Sequence, residues 1–284
     1  MENLTLNNGI QMPLVGFGTF RIQGYDDVYR CLDVALQHGY RSFDTATVYN
    51  NEAEIGKALK VLLPKHGLSR QDIFITSKLA PRDHGPEAEE AGLCSLAALD
   101  YGYVDLYLIH WPGKQGWQRE DLRNRDSRRQ SWESLEKLNQ AGRFRAIGVS
   151  NYTLEHLKEL LAWCRVRPAV LQLEYHPHLV QQELLHFCQG EGIHLQAYSS
   201  LGVGSLVKKE EVKRVAERCG RTPAQVLLRW AVQQGIGVIP KSTNPTHIAE
   251  NFQLADFILS EQDMEELNQL HSDTRYCWDP TTVA

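Results

Sequence analysis

What the chain lacks narrows it first. No apolar stretch reaches the roughly 20 residues of a membrane-spanning helix, and the opening MENLTLNNGIQMP has no basic segment followed by an apolar run. Neither a membrane anchor nor a secretory signal is therefore visible. The six cysteines, Cys31, Cys94, Cys164, Cys188, Cys219 and Cys277, include no CxxC pair. They read as free thiols of a reducing compartment, and the expectation is a cytoplasmic protein. Positive charge is not in excess: 30 Lys and Arg stand against 35 Asp and Glu, for a net charge of −5. That argues against a sequence-independent nucleic-acid binder. The most basic run, RNRDSRR at 123–129, is broken by an acid and carries no aromatics, so it reads as a solvated loop face. No metal site is expected either. His176 and His178 flank Pro177 without a third ligand, and such histidines commonly meet solvent. Finally, there is no GxGxxG. GFGT at 16–19 lacks the third glycine and GVGS at 202–205 is a fragment of the pattern, which counts against a doubly wound dinucleotide fold.

What is present has a rhythm. LTLNNGIQM places Asn-Asn-Gly between two short alternating segments, a hairpin signal. Short apolar runs then recur at 14–19, 42–46, 73–79, 104–110, 146–151, 170–176, 194–200 and 237–242. Most are too continuous to be strands with one wet face. Amphipathic stretches separate them. DDVYRCLDVALQHG ends in a C-cap glycine, NEAEIGKALKVLL begins at Asn51 as a cap, and Thr222-Pro223 marks a helix start. About eight alternations in 284 residues, with no linker, point to α/β class and one (β/α)₈ barrel domain over residues 1–284. The N-terminal β-hairpin would close the bottom of the barrel.

In such a barrel the chemistry collects at the C-terminal ends of the strands. The polar residues there are Asp44, Lys78, His110, Ser150 with Asn151, Gln172 with Glu174, Tyr198, and Lys241 with Ser242. Each alone has an ordinary reading as a turn residue, a core histidine or a lysine that snorkels to water. Together they fall at the same end of successive strands. Asp44, Lys78 and His110 would stand side by side on three neighbouring strands, with Tyr49 in loop reach. A buried lysine paired with a carboxylate stays charged, favours phenolate and should lower the tyrosine pKa from roughly 10. Tyr49 then becomes a proton donor and His110 an orienter of a carbonyl oxygen. No side chain delivers hydride, so a nicotinamide cofactor is implied.

At this point the chain resembles the aldo-keto reductase family over essentially its whole length. The motifs are GFGT, YRSFDTATVYNNEAEIG, ITSKL, DLYLIHWP, AIGVSNY, QLEYHP, AYSSLG and IPKSTNPTHIAEN, in that order. The resemblance implies an NADPH-dependent carbonyl reductase, a monomer, for aldehydes and activated ketones. It makes Tyr49 the general acid, Lys78 the modulator of its pKa, Asp44 the partner of Lys78, and His110 the orienter. Ser150, Asn151 and Gln172 would hold the nicotinamide carboxamide, and Tyr198 would stack on the ring. Lys241 and Ser242 would meet the 2′-phosphate, and Glu250 and Asn251 the adenine. Gly18, Thr19, Ser199 and Leu201 complete the implied cofactor set.

One position departs from the pattern. Where an arginine is expected against the 2′-phosphate, the chain has His247, a weaker and pH-dependent charge. The expectation is NADPH with a reduced margin over NADH. The segment 201–206 and the C-terminal tail are also short, which resembles the compact members and implies an open pocket. Its walls would include Phe20, Trp111 and Trp278 beside Tyr49 and His110, with Trp117 and Tyr276 as further aromatics nearby. Two rival readings stay open. One is an aldolase using Lys78 or Lys241 as a Schiff base, against which Asp44 counts. The other is a barrel retained as a nucleotide-binding scaffold, against which the complete catalytic set counts.

Overall fold

The computed structural model describes residues 2–284. Two short strands, β1 (Asn3–Thr5) and β2 (Gln11–Pro13), pair antiparallel with Leu4 opposite Met12, and Gly9 takes the turn at φ 84°. The hairpin is a plug. Leu6 and Met12 are buried in one cluster with Phe74, Leu106, Leu108, Ala146 and Val170, side chains from the inner wall of the sheet that follows.

That sheet has eight parallel strands in sequence order: β3 (Phe17–Gly18), β4 (Ser42–Asp44), β5 (Phe74–Leu79), β6 (Val104–Ile109), β7 (Phe144–Ser150), β8 (Val170–Glu174), β9 (His194–Tyr198) and β10 (Gly237–Val238). Every residue of β4, β5, β6 and β8 is buried, as covered faces require. The sheet curls until its ends meet. Val15 bridges Val238 in parallel, Gly16 N–H donates to Val238 O at 2.8 Å, and Val238 N–H donates to Leu14 O at 2.9 Å. Glycine is required at this seam: a Cβ on Gly18 would approach the Ile239 carbonyl oxygen to 2.7 Å.

Helices clothe the outside: α1 (Tyr25–Gln37), α2 (Glu52–Lys65), α3 (Ala88–Leu99), α4 (Arg123–Gln140), α5 (Leu154–Leu161), α6 (Gln182–Gly190), α7 (Glu210–Cys219), α8 (Pro223–Val232), α9 (Pro245–Phe252) and α10 (Glu261–Asn268). Thr222 caps α8 by accepting from Gln225 N–H at 3.2 Å, with Pro223 first in the helix. Three local expectations need correction. RNRDSRR is not a loop but the start of α4, where Asn124, Ser127 and Arg128 are buried; Arg128 is tolerated inside because Glu159 pairs with it at 2.9 Å. Asn51 precedes α2 without capping it by its side chain. His176 and His178 are both buried rather than wet, His176 against the Glu174 carboxylate at 2.9 Å and His178 against the Tyr276 hydroxyl at 2.9 Å.

Candidate active site

Parallel register sets the first three groups. Asp44 ends β4 beside Thr76, and Lys78 lies two residues further along β5, opposite Leu108 of β6. His110 follows β6, its N–H donating to Leu79 O at 3.3 Å. Lys78 is fully buried and does not snorkel. Its Nζ donates to Asp44 Oδ1 at 2.6 Å, Thr45 O at 2.9 Å and Tyr49 Oη at 3.4 Å. Tyr49 ends a 3₁₀ turn (Thr47–Tyr49) that leads out of β4. Asn51, freed from capping, secures that loop: its amide donates to Thr19 O and Ile22 O, each at 3.0 Å, and its oxygen accepts from Thr45 Oγ1 at 2.6 Å. The His110 ring stands edge-on to Tyr49 with centroids 5.8 Å apart.

Electrostatics separate the roles these groups can take. Burial works against the Lys78 ammonium, yet Asp44 and then Tyr49 outweigh it and hold its pKa above the usual lysine value. Burial pushes the Tyr49 phenol above 10, and the pull of Lys78 in the other direction does not cancel it. The expected lowering of the Tyr49 pKa is thus reversed: Lys78 does favour the phenolate, but the cost of placing a phenolate in this low-dielectric mouth is larger. His110 lies well below 6.5, through burial first and then the neighbouring Lys78 and His84, so its ring is neutral.

A second polar set lies across the mouth. Gln172 Nε2 donates to Asp44 Oδ2 at 2.7 Å and to Gln196 Oε1 at 2.8 Å. Asn151, at φ 62°, donates to His110 O at 2.8 Å and Ser150 Oγ at 3.1 Å, and accepts from Tyr198 Oη at 2.6 Å. Both Asn151 N–H groups are thus held by the protein, while the Ser150 hydroxyl proton and the Gln172 carbonyl oxygen stay available. A donor beside an acceptor suits a carboxamide. Thr19 is buried, and its hydroxyl donates to Asp44 O at 2.8 Å. Ser199 sits at φ 51° with Oγ 3.3 Å from Cys277 Sγ, and Leu201 follows it, half-buried.

The last strand leads to an exposed anion-friendly edge. Lys241 is exposed, and Ser242 Oγ accepts from Asn244 N–H at 3.1 Å. Asn244 caps α9 through Thr246 and His247, Glu250 is half-buried on that helix and Asn251 is buried. His247 is exposed on the first turn. Above the mouth, Phe20 lies 5.0 Å from the Tyr49 ring, Trp111 stacks on His110 at 6.1 Å, and Trp278 meets Trp111 edge-on at 4.8 Å. Trp117 instead lies between Lys114 and Arg123, and Tyr276 against His176 and His178. A cavity of about 520 Å³ lined by Asn151, Glu174, Leu179 and Arg275 among others shares Asn151 with the mouth but does not include Tyr49, Lys78 or His110.

The profile of the Aldo/keto reductase family matches residues 14–272. The chain belongs to the aldo-keto reductase family. It is 41% identical over 275 residues to the glyoxal reductase of Bacillus subtilis (strain 168), covering 96% of this chain and 94% of that protein. It is 40% identical over 291 residues to aldose reductase B of Dictyostelium discoideum, covering 96% and 93%. In three dimensions it is similar to the aldose reductase from Schistosoma japonicum, with a TM-score of 0.88 and 39% identity over 97% of this chain and 94% of that one. Like other aldo-keto reductases it is an oxidoreductase, of a family whose members use NADH or NADPH.

Residues not singled out from the sequence also surround the aldo-keto reductase mouth. Glu52, buried behind Lys78, accepts from Ser77 Oγ at 2.5 Å and Ser95 Oγ at 3.4 Å, and burial raises its pKa. Arg30 reaches across from α1 to donate to Thr243 O at 2.9 Å beside Lys241. Neither carries a local signal: Glu52 reads as first-turn acid on α2 and Arg30 as the solvated face of α1.

Proposed function

We propose that the protein reduces aldehydes and activated ketones, dicarbonyls among them, to alcohols with NADPH, Tyr49 being the proton donor. The observation that carries this is the Tyr49 hydroxyl 3.4 Å from a Lys78 ammonium anchored to Asp44, with the His110 ring across from it. When bound, the nicotinamide supplies hydride to the carbonyl carbon. The chain supplies the rest. His110 donates one ring N–H to the carbonyl oxygen and fixes its angle. Tyr49 transfers its proton to that oxygen as charge develops there, and the phenolate left behind faces Lys78. Ser150 and Gln172 offer the donor and acceptor for a carboxamide, Asn151 holds the Tyr198 hydroxyl beside them, and Phe20, Trp111 and Trp278 wall the substrate side. The charged, carboxylate-paired Lys78 does not suit a Schiff-base nucleophile, which needs a free amine.

The preference for NADPH rests on Lys241, Ser242 and the capped start of α9, with Arg30 beside them. Because His247 replaces a permanent, forked charge, the preference should stay below about a hundredfold in kcat/KM, and His247→Arg should widen it. Two relatives are named glyoxal reductase and aldose reductase B, which supports putting small carbonyls first in a substrate panel. The six free thiols support a reducing, cytoplasmic setting, and light scattering should show a monomer. The deciding experiment follows NADPH and NADH oxidation with aldehydes, dicarbonyls and ketones, beside Tyr49→Phe. A loss of about 10²–10⁴ in kcat with cofactor binding intact supports the reading. Tight NADPH binding with no turnover of any carbonyl would return the chain to the scaffold reading.

A further inference from the structure

Close enough to His110 for His84 to act on its charge, the structure holds buried polar atoms that no described protein group satisfies. They are His110 Nδ1, both ring nitrogens of His84, Ser127 Oγ and Arg128 Nε. Buried polar groups are nearly always hydrogen-bonded, and five such atoms on three neighbouring segments call for a shared partner. The segments are tied together. Lys114 Nζ donates to His84 O at 2.6 Å, Gln115 N–H to Pro81 O at 3.0 Å, Arg128 Nη1 to Pro112 O at 3.2 Å, and Gly85 N–H to Ser131 Oγ at 2.8 Å. A Cβ on Gly85 would come within 3.3 Å of Ser127 Oγ, so His84 and Ser127 border one compartment.

We propose that His84 is a positioning residue for His110, the two imidazoles being joined by water held between their ring nitrogens and the Ser127 hydroxyl. The chemistry requires such a link. For His110 to offer a substrate oxygen its Nε2–H, its Nδ1 must be an acceptor, and an acceptor needs a donor behind it. Among the described residues, no carboxylate is a hydrogen-bond partner of that nitrogen. The charges packed around the compartment are the cations Lys78, Lys114 and Arg128, paired with Asp44, Glu87 and Glu159. Burial first, and these cations after it, disfavour imidazolium on either ring, which leaves two neutral histidines, each with one donor and one acceptor. A water that donates to His110 Nδ1 and bonds to one His84 ring nitrogen gives each ring a partner and selects the His110 tautomer.

The inference rests on the proposed role of His110, so its test is read in two independent ways. In ¹⁵N-histidine-labelled full-length protein, His110 should resonate as the Nε2–H tautomer with a hydrogen-bonded acceptor at Nδ1. His84→Phe should move the Nδ1 resonance to the unbonded or protonated position. It should also lower kcat about tenfold, a fraction of what positioned acid–base groups contribute, with the Kd for NADPH unchanged. His84→Gln, which keeps a donor and an acceptor, should recover most of both. A wild-type His110 protonated at Nδ1 would overturn the proposal without any variant. So would a folded His84→Phe protein with the wild-type Nδ1 resonance. Failure of carbonyl reduction as the function would remove the kcat comparison and leave the resonance reading standing.

Discussion

Lys78 lies wholly inside the barrel mouth, where an unpaired ammonium would cost several kcal/mol, and Asp44 keeps it charged there. Its charge in turn waits on Tyr49, which burial holds in the acid form above pH 10, while His110 stays neutral from well below pH 6.5. The signs give a pH profile. A donor whose pKa is raised keeps its proton as pH climbs, and a neutral His110 has nothing to lose between pH 6.5 and 8. The kcat/KM for carbonyl reduction should therefore be flat from about pH 6.5 to 8 and fall only on the alkaline side, where Tyr49 loses its proton above about pH 10. An inflection near pH 6.5 that disappears in His110→Gln would contradict this. At this scale the strand-exit residues were legible because the barrel rule converts a position along a strand into a place on the rim. His84, Glu52 and His176 were not. The partners of Glu52 and His176, Ser77 and Glu174, are supplied by how the chain folds back, and a loop or first-turn residue carries no periodicity to announce it.

Among elements, hydrophobic periodicity located the strands and helices well, and charge misled where pairing overrode it. RNRDSRR looks solvated because a lone arginine seldom enters a core, yet α4 buries Arg128 against Glu159 and against the Ala284 carbonyl at 2.5 Å. Close approach was equally silent in the sequence. Gly56 lets α2 lie directly on the Leu99 carbonyl at the end of α3, where an added Cβ would collide with backbone. Helix propensity alone would make Gly56→Ala stabilising by about 1 kcal/mol. The collision should reverse that sign and cost about 1–3 kcal/mol. Thermal unfolding measures it, and a raised Tm for Gly56→Ala would show that α2 can slide outward.

For the whole molecule, the wrapping is complete: each of the eight strands has a neighbour on both sides, with the plug at one end and the reactive groups at the other. The seam between the first and last strands is the thinnest part of the wall, two residues long on each side and dependent on Gly18 under the Ile239 carbonyl. An open eight-stranded sheet would expose two rows of unpaired backbone N–H and C=O groups, templates for cross-molecule pairing. The seam thus guards against aggregation as well as shaping a site. Gly18→Val should widen it, and the variant should scatter light on heating several degrees below the temperature at which the parent does. Its losses would then appear first in the soluble fraction and only afterwards in the turnover of what remains folded.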